Sequence, residues 1–436
     1  MRRTILVPLL LGLAALVACG GSTSRSATPR ALTPGSLAPS EVPAADVGDE
    51  AEFARSMNAL GLDVWEGLRI SGGGDQNMAL SPASLATALA MTYGGARGET
   101  AAAMSRALHV ASDPDATMAA AGALQRRWND PARTSYELAV ANRLFAEREY
   151  DFREAYLDAT RVSFDAEVER LDFRGDPAGA RVLINEWVEA RTHDRIRDLI
   201  PRGALDDTTR LVLVNAVYFH GSWLREFDPE RTIDLPFFVR GGSEPTSVPT
   251  MRATGGRYGE DEGVQLLELP YAGEELAMLI VLPRERNGLA AVEDMLDAER
   301  VARWAGRVAE RGDLEVQLPR FRIETEAMAL GPVLRALGME IAFSDDADFS
   351  GISEPGEVPL KIGEVFHRVF VDVNEEGTEA AAATAVVMIE IESVSEPREP
   401  PRFIADHPFL FFLRDLRTGA ILFAARLTTP GTGSQL

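Results

Sequence analysis

The sequence predicts a single α+β domain, and three observations carry that prediction. Helical periodicity governs the first half of the chain, whereas strand-like apolar runs crowd the second. No internal repeat, Pro/Gly-rich linker or abrupt change of composition interrupts residues 50–429. Finally, 46% of the 436 residues are hydrophobic, enough to bury a large core. Length alone would suggest roughly three domains of about 150 residues each, but nothing in the sequence marks a boundary between them.

The elements follow in order. Met1-Arg2-Arg3 supplies a positive start, and the 14-residue apolar run Ile5–Ala18 is too short to span a bilayer, which needs ~18 or more residues. Residues 1–18 therefore read as a secretory signal. The run ends Leu16-Val17-Ala18-Cys19-Gly20 and resembles the lipobox of bacterial lipoproteins. By that resemblance Cys19, the one cysteine, would be lipidated. The protein would then be secreted across the inner membrane and held at the outer membrane or cell surface by acyl chains. Residues 19–50, with Pro29, Pro34, Pro39 and Pro43 among Ser, Thr, Gly and Ala, read as a flexible tether. The folded body is placed at 51–430. Helical spacing then marks Glu52–Leu68, Ser84–Tyr93, Thr100–Leu108, Asp176–Thr192 and Ala327–Leu337. Strand patterning marks Leu211–Phe219, Val264–Leu269, Leu276–Leu282, Leu314–Leu318, Val365–Val373, Phe409–Leu413 and Ala420–Leu427.

Composition excludes several function classes. With 67 acidic against 44 basic residues the net charge is −23, which repels nucleic-acid phosphates. A lone cysteine permits no disulfide and no Cys-rich metal cage. The five histidines are scattered, without an H-E-x-x-H pair. Lys361 is the one lysine, which argues against Schiff-base chemistry. Gly72-Gly73-Gly74 lacks the Lys-Ser/Thr of a phosphate loop, and Asp345, Asp346 and Asp348 lack EF-hand spacing. His367 lies in an apolar run and reads as a hydrogen-bonded core residue. No catalytic constellation, metal site or cofactor motif emerges, so the chain reads as a protein that is not an enzyme.

The most unusual segment is Asn374–Met388. On propensity it is an Ala-rich helix capped by Asn374. With period two, Thr378, Ala380, Ala382, Thr384, Val386 and Met388 share one face, and the charged Glu379 falls on the other. Both readings fit the residues. Beyond it, Ile389–Ser395 alternates apolar with polar and 396–401 is charged and Pro-rich, so the chain stays extended and open to proteolysis.

This stretch resembles the reactive-centre loop hinge of serpins, and Phe403–Arg414 looks like the serpin signature downstream of it. Asn77–Ser84 with Gly94–Thr100, Leu213–Trp223 and Leu318–Ile323 are similar to further family segments, so that the resemblance covers about residues 51–429. It implies one domain of three β-sheets and about nine helices, with an exposed reactive-centre loop at about 375–402. It also implies site residues: a hinge of Glu375, Glu376, Gly377, Thr378, Ala380, Ala382 and Thr384; a polar shutter of Ser81, Ser84, Asn215 and His367; and a breach covered by Trp223, where Glu375 would pair with Arg320. Arg320 stands where a lysine is common. Family hinge spacing puts the reactive bond at Ile391–Glu392. The implied activity is inhibition of a serine endopeptidase, the partner, by loop cleavage and strand insertion that trap it as a covalent acyl-enzyme. An aliphatic Ile391 suits elastase-, chymotrypsin- or subtilisin-like targets. A monomer is expected, with no cofactor. The other reading is a non-inhibitory serpin-like surface lipoprotein acting as a binding module.

Overall fold

The first helix runs Val47–Ile70, four residues ahead of the expected start of the body at residue 51. Asp49 and Glu50 occupy its first turn, where carboxylates complement the helix dipole. Glu50 is buried and pairs with Arg127 at 3.0 Å and Arg417 at 2.9 Å. Residues 47–50 therefore belong to the fold and not to the tether. The structure, a computed structural model, describes residues 47–72, 76–111, 113–130, 132, 135–239, 244–378 and 400–431. The signal segment 1–18, Cys19, most of the tether and the loop positions Ala380, Ala382, Thr384, Ile391 and Glu392 lie outside the described residues.

Nine α-helices and three sheets are found among the described residues. The central sheet has six strands: β1 (Tyr136–Glu147), β2 (Glu167–Leu171), β3 (Leu211–Ser222), β4 (Phe321–Glu324), β5 (Phe370–Val373) and β6 (Gly377–Thr378). They lie in the order β4-β5-β6-β3-β1-β2, antiparallel except for β1 with β2. A nine-stranded sheet carries the apolar strands Leu276–Pro283, Phe409–Asp415 and Ile421–Leu427, each buried along its whole length. Its 16-residue strand Thr246–Asp261 pairs with three neighbours, Ile233–Phe237, Val264–Pro270 and Ala309–Pro319. Met328–Ala329 and Phe366–His367 make the third, two-stranded sheet.

Two expected elements change form. Val365–Val373 splits into Phe366–His367 and β5, which pair with different partners. Ala327–Leu337 opens as a strand and becomes helical only from Gly331, where Pro332 fits the first turn; Gly338, at φ +100, interrupts the helical backbone beyond. β1 and β2 escape the pattern search because Asn142 and Arg143 interrupt the apolar run of β1 and Arg170 breaks the alternation of β2.

The Pro82–Gly95 helix runs through the middle of the core, with Ala83, Ala86 and Ala90 almost fully enclosed. It begins two residues ahead of the expected Ser84. The Ser81 hydroxyl accepts from the Ser84 N–H at 3.1 Å, and Pro82 takes the first helical position. On the opposite side of the central sheet the Pro177–Arg191 helix packs Ile184 and Val188 into a second core with Phe145 of β1 and Val214 of β3. We call this the outer face.

Candidate functional site

The hinge residues Glu375–Thr378 are built into the top of the central sheet, between β5 and β3. Asn374 caps the turn that brings them there: its side-chain oxygen accepts from the N–H groups of Glu376 at 3.0 Å and Gly377 at 3.2 Å. Of the two readings of this segment, the described residues take the strand. Gly377 pairs with Ser222 and Thr378 with Gly221 on β3, while Thr378 faces Val373 on β5. The approach at Gly377 admits no side chain, since a Cβ there would sit 2.0 Å from the Gly221 carbonyl oxygen.

Three successive carbonyls of the turn are held by the chain that follows β3. The Trp223 indole N–H donates to Asn374 O at 3.0 Å, the Phe227 N–H to Glu375 O at 2.8 Å, and the Trp223 N–H to Glu376 O at 2.8 Å. The Glu375 carboxylate is buried and meets Arg320 Nε at 2.6 and 2.7 Å through its two oxygens. The Thr232 hydroxyl donates to it as well. Trp223 and Arg320 thus meet Glu375 and its neighbours on one small patch.

Sequence reasoning missed Tyr271. Its ring stacks on Trp223 with centroids 4.5 Å apart, and its hydroxyl lies 2.7 Å from the Thr378 hydroxyl. Burial pushes the Tyr271 phenol up from its ordinary value, so it stays protonated and able to donate to Thr378. Nothing local marks Tyr271, because both of its partners are distant in sequence. Thr232 and the contact glycine Gly221 are invisible for the same reason.

The second polar cluster lies beneath the sheet. Ser81 donates through its N–H to His367 Nε2 at 3.0 Å and through its hydroxyl to Leu422 O at 2.7 Å, and Ser84 closes the group through the helix cap. Asn215 sits on β3 opposite Asn142, and its side chain lies outside those described.

The comparisons with known proteins decide what this architecture is. The family model described as Serpin (serine protease inhibitor) matches residues 55–430. The chain belongs to the serpin family. An uncharacterized serpin-like protein of Thermococcus kodakarensis is 40% identical over 387 residues, covering 88% of each chain. Human serpin B8 is 41% identical over 358 residues, 81% of this chain and 93% of that one. Among solved structures, cleaved serpin 42Da aligns with a TM-score of 0.77 at 30% identity, covering 88% of this serpin and all of the other chain. Uncleaved ovalbumin aligns with a TM-score of 0.75 at 29% identity, over 87% of this chain and 100% of its own. Serpins are in general inhibitors of proteases and not enzymes.

In this serpin His367 accepts a backbone N–H, so Nε2 carries no proton, and burial pushes the imidazole down to about 4. The sign follows. Between the unfolded value near 6.5 and about 4 the unfolded chain binds a proton that the folded protein does not. Stability from this group is complete above pH 6.5 and falls as the pH drops, by about 3 kcal/mol at pH 4. Urea unfolding of wild type and His367→Asn across pH 4–7 is expected to show that loss in wild type relative to the variant. Parallel pH curves would remove His367 as the source.

Proposed function

We propose that this serpin inhibits a serine endopeptidase as a suicide substrate. The target attacks the exposed loop, an acyl-enzyme forms, and the hinge inserts as a further length of strand between β3 and β5. Loop insertion is the recognised serpin case of strand addition and of strain release. The observation that carries the reading here is the register at Gly377 and Thr378. Continued residue by residue, that register would set Ala380 against Phe219, Ala382 against Val217, Thr384 against Asn215 and Met388 against Leu211, the first residue of β3. The 12 residues of β3 match the 12 positions from Gly377 to Met388.

The composition of the segment supports the same reading. Thr378 is already buried toward Tyr271, and the positions that would follow it on the inner face are Ala380, Ala382, Thr384, Val386 and Met388. None carries a charge. About a dozen new backbone hydrogen bonds at roughly 1 kcal/mol each give a drive of order 10 kcal/mol, much of which a single buried charge would consume. The hinge roles of Glu375 to Thr384, the shutter role of Ser81, Ser84, Asn215 and His367, and the breach role of Trp223 and Arg320 belong to this proposal.

Family spacing from Gly377 assigns the reactive bond to Ile391–Glu392. Its aliphatic residue suits an elastase-, chymotrypsin- or subtilisin-like pocket, and no Lys or Arg between Asn374 and Pro397 offers a trypsin-like enzyme a site. The net charge of −23 favours a target with a basic approach surface. Cys19 is proposed as a lipid anchor at the cell envelope, with the inhibitor body a monomer held beyond the tether.

Thr378→Arg is expected to convert the inhibitor into a substrate: the loop is cut, and the SDS-stable complex with the protease disappears. Retention of that complex would show that insertion from Thr378 is not the mechanism. In the wild-type reaction, mass spectrometry of the released C-terminal peptide is expected to begin it at Glu392; a start elsewhere relocates the bond. Cys19→Ser is expected to move the protein from the membrane fraction to the soluble one and to remove the acyl mass, and an unchanged distribution would exclude lipidation of Cys19.

A further inference from the structure

Among the described residues the start of β3 does not pair with the segment that leads into β5, and a cavity of about 870 Å³ lies between them. Small-molecule sites have volumes of roughly 300–1,000 Å³. Leu85 and Leu89 of the Pro82–Gly95 helix line the cavity with Phe349 and Ile352, and all four are buried. Leu199 and Ile200 line it from the core of the outer face. Both walls are fixed by bonds that need no occupant. The buried Asn185 side chain accepts from the Ile200 N–H at 2.9 Å and donates to its carbonyl at 3.0 Å. Across the cavity the Tyr150 hydroxyl donates to Val358 O at 2.6 Å, and the Ile362 N–H to Ala342 O at 2.9 Å. A preformed site of this kind binds with little ordering cost.

The charged groups at the wall are unequally satisfied. Thr208 donates to Asp206 through its hydroxyl at 2.6 Å and its N–H at 2.9 Å, and these bonds hold the Asp206 carboxyl below the usual range. Glu364 accepts from the N–H groups of Gly331 and Val365 at 2.6 and 2.8 Å. Asp345 pairs with Lys361 at 2.6 Å. The acids that line the cavity are thus all engaged. Arg210 differs: its Nη1 donates to the carbonyls of Asp207 and Thr209 at 2.8 and 2.9 Å, but its Nε, although enclosed, has no hydrogen-bond partner. An enclosed donor left unpaired is unfavourable, so the group missing from this wall is an acceptor. Lys361, half exposed, brings a second positive charge to the same cavity. Val358 also lines it and remains 59% exposed, so the apolar lining extends to the rim.

We propose that this cavity binds a medium-chain carboxylic acid, its carboxylate on Arg210 and its alkyl chain against Leu85, Leu89, Phe349 and Ile352. A carboxylate supplies the acceptor that Arg210 Nε lacks, in a charge-assisted bond. The alkyl chain covers apolar surface that would otherwise face water. Binding requires neither loop cleavage nor a protease, and it stabilises the uncleaved chain by mass action.

The test is calorimetric titration of the full, uncleaved chain with decanoate below its micelle-forming concentration. One site is expected, with affinity rising about three- to fourfold for each methylene added from octanoate to decanoate. Arg210→Gln is expected to weaken decanoate about tenfold and to leave decanol, which has the same tail without the carboxylate, unchanged. Lys361 is the one lysine, so its acetylation reports on the cavity directly. Mass spectrometry of the Lys361 peptide is expected to show slower acetylation in the presence of decanoate. If Arg210→Gln does not fold, Val358→Asp, a change at an exposed position, is expected to weaken decanoate by placing a like charge at the rim. Absence of decanoate binding would overturn the site. Binding that neither protects Lys361 nor responds to either substitution would overturn it equally, because the acid would then lie elsewhere.

Discussion

The arrangement depends on a buried carboxylate. Glu375 is almost wholly enclosed, and it is held by the guanidinium of Arg320 and the hydroxyl of Thr232. Removing one partner of such a pair typically costs 3–5 kcal/mol, because the remaining charge is left uncompensated. That pairing holds the turn at Asn374–Gly377 against the end of β3, and from that turn the register of Gly377 and Thr378 follows. Arginine is well suited to this position. Its Nε lies 2.6 and 2.7 Å from the two carboxylate oxygens and its Nη2 2.6 Å from one of them, a planar fork that the single ammonium of a lysine does not reproduce.

Around this point the molecule joins three levels of organisation. Backbone carbonyls of the turn are satisfied by Trp223 and Phe227, the Trp223 ring covers Tyr271, and Tyr271 reaches the hydroxyl of Thr378. A strand that begins this way is placed by many weak contacts acting together. The central sheet meets it with matched edges, β3 on one side and β5 on the other. Inhibition of the proposed kind would need no catalytic group in this chain, since the target would supply the nucleophile.

Much was legible in the chain because it is written in local chemistry. Continuous apolar runs announced β3 and the strands Leu276–Pro283 and Ile421–Leu427, the last two buried on both faces. Helical spacing announced Ser84–Tyr93, the body of the helix that runs Pro82–Gly95. The ordered motifs of the serpin resemblance named Trp223, Arg320 and Glu375 as neighbours although they are far apart in sequence.

The rest required the tertiary structure, for one physical reason: those features are made by pairs of residues whose local sequences carry no trace of each other. β1 and β2 have interrupted patterns and become strands by pairing with a neighbour. The single run Val365–Val373 divides because its two halves find different partners. Asn374 could cap a helix or a turn, and contact with Trp223 and β3 decided for the turn. Tyr271 gains its place from Trp223 and Thr378. The sequence by itself determined the class of fold and, through the family motifs, the meeting of Glu375, Trp223 and Arg320. Only the folded chain decided the register at Thr378, and with it which residues lie opposite one another across the slot.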